Sequence, residues 1–334
     1  MSEKNLDAPF LSVRDLEVQY TSNGRVVHAV NGVSLDLERG KTLGLVGETG
    51  AGKTTIAKSI LRILPDVGAK ITKGEVTLAG RDLQKISESE MRKVRGNEIS
   101  MIFQDPMTAL NPVHRVGEQI YEVVRLHNTG SKADCVKRAK EMLSIVGISE
   151  DRYNEYPHQF SGGMKQRVVI AMALACNPAV LLADEPTTAL DVTIQAQVLD
   201  LIADLRSKYN TSMLLITHDM GVVATTCDYV AVIYAGKIIE YGTKEQIFHH
   251  PTHPYTVGLF GAIPSMSGDE EWLHPIDGMP PDPSNLPDGC AFHPRCPYAT
   301  EECRKGEIQN VKTPDGHDCR CCRLSAIEKE KGKM

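Results

Sequence analysis

The strongest chemical signal in the sequence is a glycine-rich segment that ends in a lysine and a threonine. Residues 47–54 read GETGAGKT and fit the pattern G-x-x-x-x-G-K-[ST]. They follow an apolar run at 42–46 and precede a helical pattern at 55–64, which is the strand–loop–helix context of a phosphate-binding loop. The glycines let backbone N–H groups turn toward phosphate oxygens, and the helix N-terminus adds partial positive charge. We expect the Lys53 ammonium to bridge the β- and γ-phosphates of a nucleotide and the Thr54 hydroxyl to ligate Mg²⁺.

Two carboxylates close a second apolar run. Asp184 and Glu185 come directly after residues 179–183. Ligands bind at the carboxyl ends of strands in α/β proteins, so we expect Asp184 on the metal side of the nucleotide. Glu185 is placed to poise a water opposite the γ-phosphate. An Asp-Glu pair alone is typical of a solvated turn, but a phosphate loop in the same chain favours the catalytic interpretation.

Hydrophobic patterns place both segments in an α/β protein. Alternating apolar residues at 16–20, 33–37 and 76–78 predict an antiparallel sheet near the N-terminus, with Asn23-Gly24 as a hairpin turn. Short continuous apolar runs predict strands that are buried on both faces. Helical patterns lie between these runs, so we expect a mainly parallel sheet. The runs occupy 42–46, 99–103, 180–183 and 213–216.

Two later segments have a different texture. Between residues 105 and 178 the strand signal disappears, and patterns at 116–124 and 132–146 predict helices of an insertion. After residue 263 prolines are frequent, and they break regular elements. This tail cannot build a large core of its own, so something else must hold it.

Composition excludes several classes of protein. The chain has 334 residues, 41% hydrophobic and 24% charged, which is ordinary for a globular protein and excludes a largely disordered or fibrous chain. Its net charge of −6 disfavours a dedicated nucleic-acid binder. No apolar run approaches the roughly 20 residues of a membrane span, and the start MSEKNLDAPF lacks a secretory signal. We therefore expect a cytoplasmic protein whose membrane role, if any, comes through a partner.

The cysteines are crowded into the tail. The chain has nine, of which Cys135, Cys176 and Cys227 are scattered. In a cytosolic chain such a cluster indicates metal binding before disulfides. The spacing Cys-x5-Cys-x6-Cys is too open for a zinc ribbon and fails the ferredoxin pattern, so it predicts a thiolate site and leaves the metal open. The tail cysteines are Cys290, Cys296, Cys303, Cys319, Cys321 and Cys322.

A further motif identifies the branch of phosphate-loop proteins. Residues 161–167 read SGGMKQR, ahead of the Asp184 strand, and this segment resembles the signature motif of ATP-binding-cassette (ABC) ATPases. Four other segments resemble motifs of that family and occur in the family's order along the chain, between about residues 10 and 260. They are an adenine-stacking Tyr20, a Q-loop Gln104, a D-loop Ala189-Leu190-Asp191 and a switch His218.

The resemblance implies a set of roles. It makes Glu185, His218 and Gln104 catalytic, and it places Gln104 with Thr54 and Asp184 at Mg²⁺. The commonest signature is LSGGQ, whereas this chain has Phe160 and Met164 around the Ser-Gly-Gly unit. In the family that unit contacts ATP bound to the other subunit, so the resemblance implies a head-to-tail dimer. The implied nucleotide contacts are Tyr20, Gly47, Gly50, Gly52, Lys53, Thr54, Thr55, Asp184, Ser161, Gly162, Gly163 and Asp191.

Longer segments narrow the resemblance to one subfamily. QDPMTALNP at 104–112, ADEPTTALDVTIQAQ at 183–197, HPYT at 253–256 and the cysteine tail look like the ATPase subunit of dipeptide/oligopeptide importers. Nickel importers share this subfamily. The resemblance implies two membrane permease subunits, a second ABC ATPase subunit that is a paralogue, an extracytoplasmic solute-binding protein acting indirectly, and no nucleic acid. It also implies a peripheral position on the cytoplasmic face of the cell membrane.

The same resemblance gives the tail a cofactor. It favours a [4Fe–4S] cluster on Cys290, Cys296 and Cys303, with zinc as the alternative. The family pattern of a His followed four residues later by a Cys maps His317 onto Cys321, so Cys321 is the expected fourth ligand; Cys319 and Cys322 remain alternatives.

These inferences define one expected architecture. We expect an α/β protein with a P-loop (RecA-like) core, an N-terminal antiparallel β subdomain, a helical signature subdomain at about 105–178 and a Cys-rich C-terminal extension. The ABC nucleotide-binding domain covers 1–263 and the extension, with its metal or iron–sulfur site, covers 264–334. The expected function is ATP hydrolysis that energises import of di- and oligopeptides. The alternatives are import of nickel or another solute, or a soluble ABC ATPase of DNA repair or translation, which a single cassette without a heptad run or basic excess disfavours.

Overall fold

The computed structural model describes residues 9–22, 24–127, 130–188, 190–261 and 276–331. The predicted domain boundary at 263/264, the hairpin residue Asn23 and Ala189 of the D-loop lie outside these residues. The strands are β1 (Leu11–Ser22), β2 (Arg25–Leu37), β3 (Thr42–Val46), β4 (Ala69–Leu78), β5 (Arg81–Asp82), β6 (Ile99–Ile102), β7 (Val180–Asp184), β8 (Ser212–Thr217), β9 (Tyr229–Tyr234), β10 (Lys237–Thr243), β11 (Val311–Lys312) and β12 (Asp318–Cys319).

Eleven α-helices are distributed along the described residues. Among the described residues, none of them combines the length and the apolar character that a membrane crossing requires. The helices are α1 (Lys53–Ile60), α2 (Glu88–Val94), α3 (Pro106–Ala109), α4 (Val116–His127), α5 (Lys132–Ile145), α6 (Gly162–Leu174), α7 (Val192–Tyr209), α8 (Met220–Thr226), α9 (Lys244–His249), α10 (Pro254–Gly261) and α11 (Leu324–Lys331).

The chain divides into two compact units. The first unit takes its residues from Met1–Leu11, Leu37–Thr42 and Leu78–Thr217. Within it, β6 pairs in parallel with β7, and β7 pairs in parallel with β8. Every residue of these three strands is buried, as their continuous apolar runs predict. Parallel pairing brings the carboxyl ends of β6 and β7 to one edge, where the predicted site residues Gln104 and Glu185 follow.

Helices α3 to α6 lie between β6 and β7 in the first unit. Helices α4 and α5 occupy the segments where the periodicity predicts them. The Ser131 hydroxyl accepts from the Asp134 N–H while the Asp134 carboxylate accepts from the Ser131 N–H, so a capping box starts α5. Val116, Ile120 and Val124 of α4 are buried, which gives the helix one apolar face.

The second unit comprises residues from Ser12–Asp36, Leu43–Thr77 and His218–Met334. One of its sheets has the strand order β2-β1-β4. In the other, β3 pairs in parallel with β9, and β9 pairs antiparallel with β10. The described part of the C-terminal extension extends this sheet, because β12 pairs antiparallel with β10 and β11 pairs with β12. The extension is therefore held by the sheet that carries the phosphate loop.

A buried charge network fixes the extension to β10. The His317 Nε2 atom lies 2.9 Å from Glu240 Oε1, and the side chains of both residues are fully buried. The His317 Nδ1 atom lies 2.6 Å from Asp315 Oδ1. Glu240 also accepts from the backbone N–H groups of Thr252 at 2.7 Å and His253 at 3.0 Å. Burial lowers the pKa of His317, but the hydrogen bonds and charges of Glu240 and Asp315 outweigh it and raise that pKa.

We predict that His317→Ala releases the extension. The change leaves the Glu240 carboxylate buried without its cation, which costs about 3 kcal/mol of unfolding free energy. Lys312→Ala is the matched control, since its exposed pair with Asp318 contributes about 0–1 kcal/mol. Denaturant unfolding and protease cleavage of the extension measure both.

The free energy of unfolding that is lost in His317→Ala depends on pH in a predictable direction. A histidine whose pKa is raised on folding stabilises the folded state fully below its unfolded pKa of about 6.5. The stability lost in His317→Ala is therefore largest below that pH and shrinks as pH rises through the raised pKa. Equal losses in both variants, independent of pH, would contradict the role of the His317–Glu240 pair.

Candidate active site

The phosphate loop connects β3 to α1 in the second unit, and close backbone contacts set its shape. Gly47 has φ +156°, and a Cβ there would lie 2.2 Å from the Ile233 carbonyl oxygen. Gly52 has φ +101°, and a Cβ would lie 2.3 Å from the Ala29 carbonyl oxygen. Both positions exclude a side chain on steric grounds, and at Gly52 the backbone conformation adds to the exclusion.

Lys53 closes the loop on itself. Its buried ammonium donates to the carbonyl oxygens of Gly47 at 2.6 Å and Glu48 at 3.0 Å. Lys53 is also the first residue of α1, whose N-terminal N–H groups and positive dipole end suit an anion. The lysine therefore carries its charge at the place where the loop backbone and the helix dipole both favour phosphate.

A tyrosine from β1 lies beside the start of α1. The Tyr20 hydroxyl is 3.3 Å from the Thr55 hydroxyl, and both residues are half-buried. The structure thus brings the predicted aromatic residue to the predicted phosphate loop. Tyr20 leaves part of its surface open beside the loop, as a base-stacking role requires.

In the first unit the carboxyl ends of β6 and β7 bring three polar side chains together. The Glu185 carboxylate accepts from the Gln104 amide at 2.8 Å and from the Thr188 hydroxyl at 2.9 Å. Glu185 itself has φ +45°, a conformation that few non-glycine residues adopt, and its N–H donates to the Ile216 carbonyl at 2.8 Å. Asp184, the last residue of β7, is buried. Sequence reasoning missed Thr188, because a threonine in a turn carries no motif signal of its own.

The predicted signature segment forms the start of α6. The Ser161 hydroxyl accepts from the Met164 N–H at 3.4 Å as the helix cap, and Ser161 and Gly162 are exposed. A Cβ at Gly163 would lie 2.6 Å from Ile194 Cγ2, so only glycine lets α6 approach α7 this closely. The buried Gln166 donates to the Pro186 carbonyl at 2.5 Å and ties α6 to the turn that follows Glu185.

The remaining predicted residues are exposed. Asp191 precedes α7 in the first unit, and His218 follows β8 at the start of a segment of the second unit. An exposed position at the end of a strand or the start of a helix is available to a ligand or to a second chain.

Five of the six tail cysteines line one cavity in the second unit. Cys303 Sγ and Cys322 Sγ are 3.7 Å apart, and none of the nine cysteines forms a disulfide. Cys319 is fully buried in β12 and does not line the cavity. The cavity cysteines are Cys290, Cys296, Cys303, Cys321 and Cys322.

Burial raises the pKa of four of the cavity thiols, those of Cys290, Cys296, Cys321 and Cys322. Desolvation raises the pKa of Cys296 and of Cys321 to about 11. Desolvation and the Cys303 hydrogen bond raise the pKa of Cys322 to about 12. His253, which also lines the cavity, has its pKa lowered to about 4 by burial and is neutral. A bound cation would reverse this balance, since metal ligation requires thiolates.

The donor set restricts what the cavity can hold. In the part of the chain that the structure describes, no group of three or more His, Cys, Asp or Glu side chains is arranged to hold a single metal ion. The thiols are a soft, all-sulfur set of the kind that zinc and iron–sulfur centres use.

Comparison with known proteins gives two family matches. Residues 30–188 match the family described as ABC transporter, and residues 239–303 match the C-terminal region of oligopeptide/dipeptide transporters. The dipeptide transport ATP-binding protein DppD of Bacillus subtilis is 50% identical over 313 residues, 93% of each chain. The oligopeptide transport ATP-binding protein OppD of Haemophilus influenzae is 49% identical over 321 residues, 95% of this chain and 98% of that one.

Solved structures show the same fold. A dimeric ATP-binding cassette in a post-hydrolysis state, bound to ADP and phosphate, has a TM-score of 0.63 and 27% identity over 70% of this chain and 98% of that chain. A subunit of the CbiONQ transporter complex from Clostridium perfringens has a TM-score of 0.63 and 26% identity, covering 76% of this chain and 96% of that one.

We predict that two loop glycines differ in their tolerance of alanine. Gly50 has φ +83° with nothing within 4 Å of its Cβ position, so Gly50→Ala carries only backbone strain of about 1–2 kcal/mol. Gly52→Ala adds the clash with the Ala29 carbonyl oxygen and lowers the melting temperature further. Thermal unfolding without nucleotide measures the difference. Equal melting temperatures would show that the loop is not held against Ala29.

Proposed function

Because the chain belongs to the family of ABC transporter ATP-binding proteins, and within it to the dipeptide and oligopeptide branch, we propose that it hydrolyses ATP to drive peptide import through membrane permease subunits. The ATPase activity follows from the family itself. The observation that carries the chemical assignment is the Glu185 carboxylate at the end of β7, held by Gln104 and Thr188. Nickel or another solute is the alternative cargo, but both relatives described above are named as peptide transport proteins.

The nucleotide contacts follow from the two sets of residues described above. Lys53 and the loop N–H groups bind the phosphates, and Tyr20 stacks on the adenine. Thr54 is a proposed Mg²⁺ ligand of the second unit, and Gln104 and Asp184 are proposed Mg²⁺ ligands of the first unit. The exposed Ser161 and Gly162 contact ATP bound to a second cassette, which is why the chain is expected to act in a head-to-tail pair. His218 is a proposed catalytic residue, and Asp191 is a proposed nucleotide contact.

Glu185 is proposed to act as the general base. Its carboxylate accepts two hydrogen bonds, which fix its orientation. Positioned in this way, it accepts the proton of the attacking water as the water oxygen bonds to the γ-phosphorus, while the bond from that phosphorus to the β–γ bridging oxygen breaks and ADP leaves. Gln104, through its amide contact with Glu185, links the base to the Mg²⁺ side of the site.

We predict that Glu185→Gln lowers the rate of ATP hydrolysis by a factor of about 10²–10⁴, the usual contribution of a positioned base. The amide keeps the shape and one acceptor, so ATP binding survives and a closed dimer accumulates. Glu98→Gln is the matched control, because Glu98 pairs with Arg81 at the surface. Steady-state hydrolysis and light scattering measure the outcome. Hydrolysis by Glu185→Gln at the normal rate would remove Glu185 from the base role.

A groove in the first unit is the proposed docking site for a helix of a permease subunit. It lies among β6, α3, α4 and α6. Phe103, which lines it, is 41% exposed. The groove is apolar and lies beside Gln104, which donates a hydrogen bond to Glu185. A permease helix in the groove could therefore act on Glu185 through Gln104. The other lining residues are Gly96, Ser100, Met101, Thr108, Ala109, Val123, Val169, Met172 and Ala173.

We predict that Phe103→Asp uncouples the chain from the permeases, because a carboxylate in the groove would have to lose its water shell. In the assembled transporter, crosslinks from the groove to a membrane subunit and ATP-driven uptake should both fall. Leu126→Asp is the control, since Leu126 is 73% exposed and lies outside the groove. Normal uptake in Phe103→Asp would place the docking site elsewhere.

The thiol-lined cavity is the proposed site of a [4Fe–4S] cluster, held by Cys290, Cys296, Cys303 and Cys321. A cluster accepts four thiolates that are spaced more widely than the ligands of one ion. The position of Cys321 on the cavity wall supports it over Cys319 as the fourth ligand. The group would tie three segments of a proline-rich tail together, so its binding energy is local folding energy.

We predict that anaerobically purified protein is brown, with broad visible absorbance, and that Cys303→Ser bleaches it and makes the extension sensitive to protease. Cys176→Ser is the control, since Cys176 lies in the first unit. Cys321→Ser and Cys322→Ser, compared by iron content, identify the fourth ligand. Colourless protein that contains zinc would keep the thiolate site and overturn the iron–sulfur assignment.

A further inference from the structure

The phosphate loop has one residue, Glu48, that is held from outside the loop at both its backbone and its side chain. Its N–H donates to the Tyr255 hydroxyl at 3.0 Å. Its carboxylate accepts from the Arg295 guanidinium at 2.9 Å. Its carbonyl oxygen accepts from Lys53 at 3.0 Å. Glu48 therefore connects the phosphate-binding lysine to two residues that lie far along the chain.

Arg295 is built into its position. Its side chain is only 7% exposed. The guanidinium also donates to the Asp277 carbonyl at 2.9 Å, the Ile276 carbonyl at 3.3 Å and the Tyr234 hydroxyl at 3.3 Å. The planar fork of an arginine can serve these acceptors together, which a lysine cannot. The contact with Glu48 is thus one of four hydrogen bonds of a buried guanidinium and differs from an exposed ion pair, which contributes little.

Tyr255 is equally fixed. It is fully buried, and its ring packs against Tyr234 with centroids 4.6 Å apart and against Phe292 at 5.4 Å. Phe292 also lines the thiol cavity. Phe292 and Arg295 both lie between Cys290 and Cys296 in the sequence. One short segment of the extension therefore forms the cavity wall and supports the loop.

We propose that Arg295 and Tyr255 are positioning residues of the nucleotide site, which hold Glu48 so that the phosphate loop is preorganised for ATP. The proposal rests on the assignment of residues 47–54 as the nucleotide loop. A loop that is already ordered loses less conformational entropy when the ligand binds. The Cys290–Cys296 segment then contributes to ATP affinity without touching the nucleotide.

The segment also links the cavity to the loop. A change that disorders Cys290–Cys296 withdraws Arg295 from Glu48 and Phe292 from Tyr255 at the same time. Loss of the group bound by the thiols is therefore expected to weaken ATP binding, although the thiols themselves take no part in hydrolysis.

The experiment measures MgATP affinity of the full chain with a fluorescent ATP analogue, together with KM and kcat for ATP. Arg295→Ala should weaken binding about tenfold, the loss expected for one charge-assisted hydrogen bond. KM should rise while kcat at saturating ATP stays constant, because a positioning residue acts on the loop and not on the base. Arg304→Ala is the matched control, since Arg304 lies in the same extension, is 58% exposed, and pairs with Glu301 at the surface.

A double-mutant cycle tests whether Arg295 acts through Glu48. Glu48→Gln removes the ion pair without touching the extension, so it should reproduce the loss even where Arg295→Ala unfolds the tail. The double variant should bind no more weakly than the weaker-binding single variant. Additive losses, or wild-type affinity in Glu48→Gln, would overturn the proposal.

Lys53→Ala separates this proposal from the assignment of the loop. If Lys53→Ala abolishes binding while Arg295→Ala and Glu48→Gln bind normally, the nucleotide site stands and the positioning role fails. If Lys53→Ala binds ATP normally, the loop assignment fails and the positioning role fails with it. Tyr255→Phe, which keeps the packed ring and removes the acceptor of the Glu48 N–H, should also weaken binding; a wild-type affinity would leave Tyr255 out of the role.

Discussion

The shape of the phosphate loop between β3 and α1 depends on its close approach to the backbone of neighbouring segments. Carbonyl oxygens of Ile233 and Ala29 occupy the space that side chains at residues 47 and 52 would need. The loop therefore turns tightly between β3 and α1, and this turn brings the Lys53 ammonium back onto the loop carbonyls. Glycine is needed there for space as well as for backbone freedom, and the placement of the charge follows from it.

In the first unit, strand pairing brings the polar side chains of the site together. Parallel β6 and β7 end at one edge, so Gln104 and Glu185 meet although 81 residues separate them. The positive φ of Glu185 then turns its side chain toward Gln104 and Thr188. A strained backbone at such a residue persists because the surrounding hydrogen bonds over-determine it, and strain of this kind is concentrated at functional sites.

Local patterns were enough to predict the parts of the fold that depend on local physics. Apolar runs located β3, β6, β7 and β8 to within a residue or so, and periodicity located α4 and α5. Helix α11 and the short strands of the extension were not predicted, because their stability comes from partners far away in the chain. His317 and Glu240 are 77 residues apart, and Arg295 and Glu48 are 247 apart. No periodicity within a short window carries such a contact, and Arg295 has no motif that marks it.

The extension shows how a proline-rich segment becomes ordered without a core of its own. Its backbone is secured at β12, its charges are secured by Glu240, and its apolar residues share the ring cluster of Tyr234, Tyr255 and Phe292. The cavity thiols are the element that these contacts do not satisfy, since burial raises the pKa of Cys296 and Cys321 to about 11. If the proposed cluster binds in the cavity, its binding and the ordering of this segment stabilise each other, because metal ligation requires thiolates. Arg295 is adjacent to Cys296 and bonded to Glu48, so the segment that lines the cavity also contacts the phosphate loop.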